Sequence, residues 1–235
     1  MVFRDRLVAT LNAAAPALAS PGVMIVGSEV PNLLEPDAAS SLVVSLDLDL
    51  GVPVDDHPEL KRRLPQLRQF RQSSDEPSVW IPRSPDLLEL NFVGMDRGQD
   101  PSESYVLEDD ELPLLVFGAL SFVRPGPRVV IAGTSFTLPR PSGLLLEKLV
   151  TDRTGEKGDR DLLVALGVLM TSTDDDIVEL EQAYRTLRPE LRHSILSNLT
   201  LLSLLEGRNG MPDPGPWRER VSALIRRLES AGGKP

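Results

Sequence analysis

The sequence predicts an α+β protein, with a mixed β-sheet core flanked by helices over residues 1–141 and a helical C-terminal region over 142–235. Three observations carry that reading. Short runs rich in Val, Leu and Ile, bounded by Gly, Pro and Ser, recur through the first part of the chain. From Ser142 onward the apolar residues fall at helical spacing instead. The 235 residues suffice for a sizeable core, and with 41% hydrophobic but only 4% aromatic residues that core is built of Leu, Val, Ile and Ala.

The elements follow in order. Phe3, Leu7, Leu11, Ala14 and Leu18 mark an amphipathic helix over 2–17, ending near Ser20-Pro21-Gly22. Asp5 and Asn12 interrupt this stretch, which favours the helix over a signal peptide. The run Gly22 to Val26 reads as a buried strand, 31–40 as a loop, and Ser41 to Leu50 as a second strand closed by Gly51 and Pro53. His57 to Gln72 has five basic residues, with Leu60, Leu64 and Leu67 at helical spacing. It reads as a surface helix broken at Pro65. Further strands are expected over Asp86 to Val93, Leu114 to Val123 and Arg128 to Ile131, with Arg124 to Pro127 as a turn. Helices are expected over Ser142–Asp152, Arg160–Met170, Asp174–Leu187, Pro189–Leu205 and Pro216–Ser230. Thr173 and the aspartates behind it form a natural helix start.

Composition excludes several chemistries. With no cysteine there are no disulfides, thiolate metal sites or cysteine nucleophiles, which fits a cytoplasmic location. No apolar run reaches the ~18 residues of a membrane span. His57 and His193 are the only histidines, and no Gly-x-Ser-x-Gly elbow, zinc spacing, P-loop or dinucleotide fingerprint accompanies them. A net charge of -10 works against non-specific binding to nucleic acid. The basic segment Lys61 to Arg71 reads either as a charged helix face or as a patch that steers an RNA or a triphosphate.

One constellation carries chemistry. Asp47 and Asp49 stand at i and i+2 on a strand and so share a face, while Leu46, Leu48 and Leu50 face the core. Two carboxylates on one face suit Mg²⁺, which takes oxygen ligands and keeps some water, and they suit phosphoryl transfer. The bland alternative is a solvated strand end. Gly27-Ser28 follows a buried strand, where glycine permits close backbone approach and serine offers donors to a triphosphate. In DLLELNFV, Glu89 shares a face with Asn91, so it either bridges metals and accepts a proton or is an exposed strand carboxylate.

This combination resembles the nucleotidyltransferase superfamily, whose signature is a Gly-Ser or Gly-Gly turn, then Asp-x-Asp, then a later strand carboxylate. The segment from Leu144 to Leu166, LLLEKLVTDRTGEKGDRDLLVAL, looks like the downstream motif of the abortive-infection (AbiEii-like) toxin branch of type IV toxin–antitoxin systems. The matching residues are Lys148, Arg153, Arg160 and Asp161, with Lys157 and Asp159 as alternatives for the last pair. The resemblance implies a nucleotidyltransferase-like sheet core. It also implies Mg²⁺ held by Asp47 and Asp49, a nucleoside triphosphate held by Gly27, Ser28, Lys148 and Arg153, and Asp159 or Asp161 orienting the base or the lysine. Glu89 would assist the acceptor hydroxyl. It further implies a bacterial, toxin-like role with tRNA as acceptor and an antitoxin protein as partner. Two other functions fit the same residues: a nucleotide-binding or interaction module without transfer activity, and a small-molecule nucleotidyltransferase of the antibiotic-modifying kind.

Overall fold

The computed structural model describes residues 3–34, 45–151, 155–207 and 213–232, with 155–157 described by backbone only. These residues fall into two compact units, 3–30 with 45–139, and 31–34 with 140–232.

The first unit is built on a mixed sheet of nine strands. Helix α1 (Phe3–Ala13) is followed at once by α2 (Ala15–Leu18), the expected single helix being interrupted where Pro16 enters the first turn of α2. Gly22, at a φ of 66°, turns the chain into β1 (Met24–Ile25). After the short helix α3 (Val30–Leu34), where a loop is expected, the chain returns in β2 (Asp47–Pro53). The helix expected over 57–72 is only α4 (His57–Arg63). At Pro65 the chain tightens into a 3₁₀ turn over Leu64–Gln66 and then enters a strand, β3 (Phe70–Gln72). Strands β4 (Val79–Pro82), β5 (Glu89–Met95), β6 (Ser104–Leu107), β7 (Leu114–Phe117), β8 (Pro125–Ile131) and β9 (Thr134–Pro139) complete the sheet.

The strand order is β3-β4-β5-β2-β1-β9-β8, with β7 pairing both β5 and β6. β2 and β5 run parallel, as do β1 and β9, and β5 and β7; the other pairs are antiparallel. Residues 125–127 of the expected turn are instead part of β8. The hairpin turns at Ala132 and Gly133, both at positive φ as a tight β-hairpin requires. Pro125 and Pro127 are tolerated because β8 ends the sheet, and one side of an edge strand asks for no ladder donor.

On one face of the sheet Leu48, Leu50, Leu90, Phe92, Trp80 and Phe70 are buried, and Trp80 meets Phe92 edge-on with ring centroids 6.4 Å apart. Helix α2 packs against β9, and α4 against β2. Thr10 on α1 accepts a hydrogen bond from the Leu88 amide (2.7 Å), and Arg6 donates to the Leu87 carbonyl (2.9 Å). These bonds fix the chain as it enters β5. His57 is structural: its Nε2 lies 2.8 Å from the Leu112 carbonyl oxygen, both of them buried.

The second unit is helical, with α5 (Pro141–Val150), α6 (Gly155–Thr171), α7 (Asp174–Thr186), α8 (Pro189–Leu204) and α9 (Arg218–Gly232), within about two residues of four expected helices; α6 begins five residues earlier than expected. Every residue of α5 is buried, and α5 packs on α6, α7 and α8. Thr173 caps α7 reciprocally. Its hydroxyl accepts from the Asp176 amide (3.2 Å), and Asp176 accepts from the Thr173 amide (2.8 Å).

Candidate active site

Asp47 and Asp49 stand at the beginning of β2, not near its end as the sequence suggests, and both are half-buried on one face. Leu48 and Leu50 are fully buried on the other. Leu46, expected in the core with them, is 75% exposed because it precedes the strand and lies in a bend.

β2 is flanked by β1 on one side and β5 on the other, and each neighbour brings a polar element to the pair. From β1 comes the turn at Gly27. The Val26 amide donates to the Asp49 carbonyl (3.0 Å), so the turn lies directly beside the second aspartate. A Cβ added to Gly27 would stand 2.8 Å from the Cβ of Asp49, closer than two carbons can approach. The glycine is therefore required by this contact. Despite the long segment between them, turn and carboxylate pair meet. Ser28, half-buried, continues the turn toward α3, and the adjacent Glu29 is almost wholly buried at 1% exposure. Nothing in the sequence pattern singled out Glu29.

From β5 come Glu89 and Asn91. In the parallel register Glu89 sits opposite Asp47 and Asn91 opposite Asp49, on the same face. Asn91 donates from Nδ2 to Asp49 Oδ1 (2.9 Å), and the Ser45 hydroxyl donates to Asp47 Oδ1. Asn91 and Ser45 were not expected as site residues. They are found only through the register and the chain's path into β2. Burial raises the Glu89 carboxyl above its ordinary value, and the charges of Asp47 and, less strongly, Glu76 push the same way. Farther along the same strands the face becomes apolar, with Met24, Val26, Val93, Met95, Leu120 and Val123 packed together. The acidic end is thus the polar terminus of an otherwise apolar face.

The donor set fits Mg²⁺. Two same-face carboxylates can supply the one or two protein ligands this ion takes, leaving positions for water and phosphate oxygens. Among the described residues no three acidic or histidine side chains form a preformed metal-binding group.

In the helical unit, Lys148 on α5 is buried beside Glu147, with Nζ 3.0 Å from Glu147 Oε2 and 3.9 Å from Asp161 Oδ1 on α6. Glu147 Oε2 has no hydrogen bond, so its contact with the ammonium is ionic only. Asp159 is half-buried on α6 and Arg160 exposed. Arg153 and the Lys157 side chain lie outside the described residues.

The architecture matches a solved structure over nearly its whole length. An antigenic nucleotidyltransferase-like protein from Paracoccidioides brasiliensis superposes with a TM-score of 0.56 at 16% identity, over 95% of this chain and 93% of that one. The fold is nucleotidyltransferase-like. The antibiotic-resistance factor ANT(2'')-Ia overlaps less, with a TM-score of 0.40 at 13% identity over 80% of this chain and 95% of that one, too little to bear on the assignment. No family model and no curated protein matches the sequence. Among the described residues no helix is long and apolar enough to cross a membrane.

Proposed function

We propose that the protein is a Mg²⁺-dependent nucleotidyltransferase that moves a nucleoside monophosphate from a nucleoside triphosphate to an acceptor hydroxyl. The observation that carries this reading is the meeting, on one sheet face, of Asp47 and Asp49 with the Gly27 turn on one side and Glu89 on the other. Asp47 and Asp49 hold the ion, which when bound neutralises charge on the triphosphate and its leaving group. Gly27 and Ser28 give the phosphates a turn that the backbone can approach closely. Glu89 accepts the proton of the acceptor hydroxyl, and its raised proton affinity suits a base. The acceptor oxygen bonds to the α-phosphorus, the bond from that phosphorus to the bridging oxygen breaks, and pyrophosphate leaves. Lys148 and Arg153 hold the phosphates by resemblance to the abortive-infection toxin branch. The ion pair between Lys148 and Asp161 supports Asp161 as a residue that orients the lysine. That same resemblance supports tRNA as acceptor and an antitoxin as partner.

A second reading is favoured by Asn91, whose amide donates to an oxygen of Asp49 that a metal would otherwise take. In that reading the protein binds nucleotide without transferring it. Incubation with Mg²⁺, each labelled nucleoside triphosphate in turn, and either total tRNA or aminated sugars separates these readings, with Asp47→Ala/Asp49→Ala as control. Label passed to tRNA by the parent alone supports the transferase. Label on aminated sugars alone makes it a small-molecule enzyme, and nucleotide binding without transfer leaves the binding module.

A further inference from the structure

Of the basic residues that read as one helix face, three lie on α4, while Arg71 falls on β3; Arg83 lies outside that segment. Those on α4 are neutralised at home: Lys61 by Asp109 (2.7 Å) and Glu111 (3.3 Å), Arg62 and Arg63 by Glu59 (2.5 and 3.1 Å). Arg71 and Arg83 are not. Both are exposed, and among the described residues no carboxylate pairs with either.

The register places these two arginines. Arg71 on β3 stands opposite Ile81 on β4, and Val79 and Trp80 stand opposite Asn91 and Leu90 on β5. Continuing that ladder by one residue puts Ile81 beside Glu89, which itself pairs with Asp47. Arg71, Ile81, Glu89 and Asp47 therefore form one row on one face, opposite the face of Phe70, Trp80, Leu90 and Leu48. Arg83 lies one residue past the end of β4, in a bend, and is placed by its hydrogen bonds. Its amide donates to the Gln69 carbonyl (2.8 Å) and its Nε to the Phe70 carbonyl (3.2 Å), which holds it on the β3 edge diagonal to Arg71. Two uncompensated like charges side by side repel, and an anion between them removes the repulsion. Arg71 lies two strands from Glu89, about 10 Å between backbones, a gap that an extended arginine and one sugar ring together span.

Strand order decides which anion this is. Gly27 flanks the aspartates from the β1 side, whereas Glu89, Ile81 and Arg71 lead away on the opposite side. A triphosphate at the Gly27 turn leaves the β3 edge to the other substrate. Resting on the transferase reading above, we propose that Arg71 and Arg83 anchor a phosphate of the acceptor, one sugar away from its reacting hydroxyl. The acceptor is then a phosphate-bearing sugar hydroxyl, supplied either by the end of a nucleic-acid strand or by a small sugar phosphate. The bidentate fork of arginine suits phosphate in either source.

The test is binding by the full chain without metal or nucleoside triphosphate, so that transfer plays no part in it. A 5′-labelled single-stranded oligoribonucleotide is titrated by fluorescence anisotropy across a salt series, with ribose 5-phosphate and ribose as competitors. We expect the parent to bind, and Arg71→Gln/Arg83→Gln to bind at least tenfold more weakly. The log–log salt slope should fall by about 0.7 in the double variant, which gives up one phosphate contact. Arg71→Lys/Arg83→Lys should keep most of the slope, and all variants should melt with the parent. Competition by ribose 5-phosphate, but not ribose, identifies a small sugar phosphate as source; resistance to both identifies the strand. A parent that binds neither phosphate-bearing probe overturns the proposal, as does a folded glutamine variant with parental affinity. If the arginines bind phosphate but no transfer is ever seen, the phosphate site stands, but its assignment to an acceptor falls with the transferase reading. Transfer by the glutamine variant at parental KM for the acceptor sinks this inference alone.

Discussion

At the scale of single residues, Gly27 is where sequence and chemistry meet most tightly. Alanine there forces its Cβ to 2.8 Å from that of Asp49, so either the turn or the carboxylate must move. Overpacking of this kind costs about 1–3 kcal/mol. A carboxylate displaced by roughly 1 Å costs about a hundredfold in rate. Gly27→Ala should therefore lower stability modestly in urea denaturation and lower nucleotidyl transfer far more; an unchanged transfer rate would show that Asp49 is not where the reaction needs it. Asp47 and Glu89 make a second case. A carboxyl with a raised folded pKa takes up its proton more readily folded than unfolded, so stability falls as pH rises above the ordinary value of 4.5 through the raised one, then levels off. Asp47→Asn removes the larger of the two charges pushing Glu89 up. With EDTA present, melting temperatures followed from pH 4.5 to 7 should decline less steeply in the variant than in the parent. The aspartate pair was legible in the sequence because spacing of two fixes a shared face whatever the strand's neighbours. Asn91, Ser45 and Glu29 were not legible, since their places depend on a parallel register and on chain entry that no local pattern encodes.

At the scale of elements, the sequence was most informative where local signals agree. The five C-terminal helices were found because apolar periodicity, Thr173 and the prolines at 141 and 189 mark the same starts. Thr173→Ala removes the hydroxyl that accepts from the Asp176 amide, leaving only the backbone arm of the capping box, and should cost about 1 kcal/mol, read as a lower urea midpoint with unchanged m-value. Strands β3 and β4 were missed because each is too short to alternate visibly, and the basic residues before β3 extend the helical pattern past Pro65. α4 ends where Pro65 enters a 3₁₀ turn, and on the helix Lys61 reaches Asp109, which also accepts from the amides of Glu111 and Leu112 (2.9 Å each). The Lys61 bond, with those amides, holds the Asp109 carboxyl down at about 2. Stability from that group is thus complete above the ordinary 3.8 and is lost as pH falls through about 2. Asp109→Asn keeps an acceptor for the amides and loses only the charge. It should be about 1 kcal/mol less stable at pH 7, after allowance for screening of a partly exposed pair. The gap between parent and variant should close as pH is lowered from 4 toward 2; a gap that stays constant would mean the charge contributes nothing.

At the scale of the whole molecule, a net charge of -10 sets the field through which substrates arrive. The fold places its acids and Arg71 on one sheet face, but the long-range field is negative, and it acts on a triphosphate before any local contact does. At low salt that field repels the nucleotide. The Debye length is about 30 Å at 0.01 M and about 8 Å at 0.15 M, so physiological salt removes most of the repulsion while leaving contacts within the site largely intact. The association rate of a fluorescent nucleoside triphosphate, measured by stopped flow at saturating Mg²⁺, should therefore rise between these two salt concentrations. The oligoribonucleotide responds the other way at equilibrium, because its affinity comes from arginine–phosphate contacts that release counterions. Opposite salt dependences for two anionic ligands are what a globally acidic protein with one local basic edge must show. A nucleotide on-rate that falls with salt would mean the triphosphate is drawn in by a positive region, and would place its phosphates at the arginine edge instead of at Gly27.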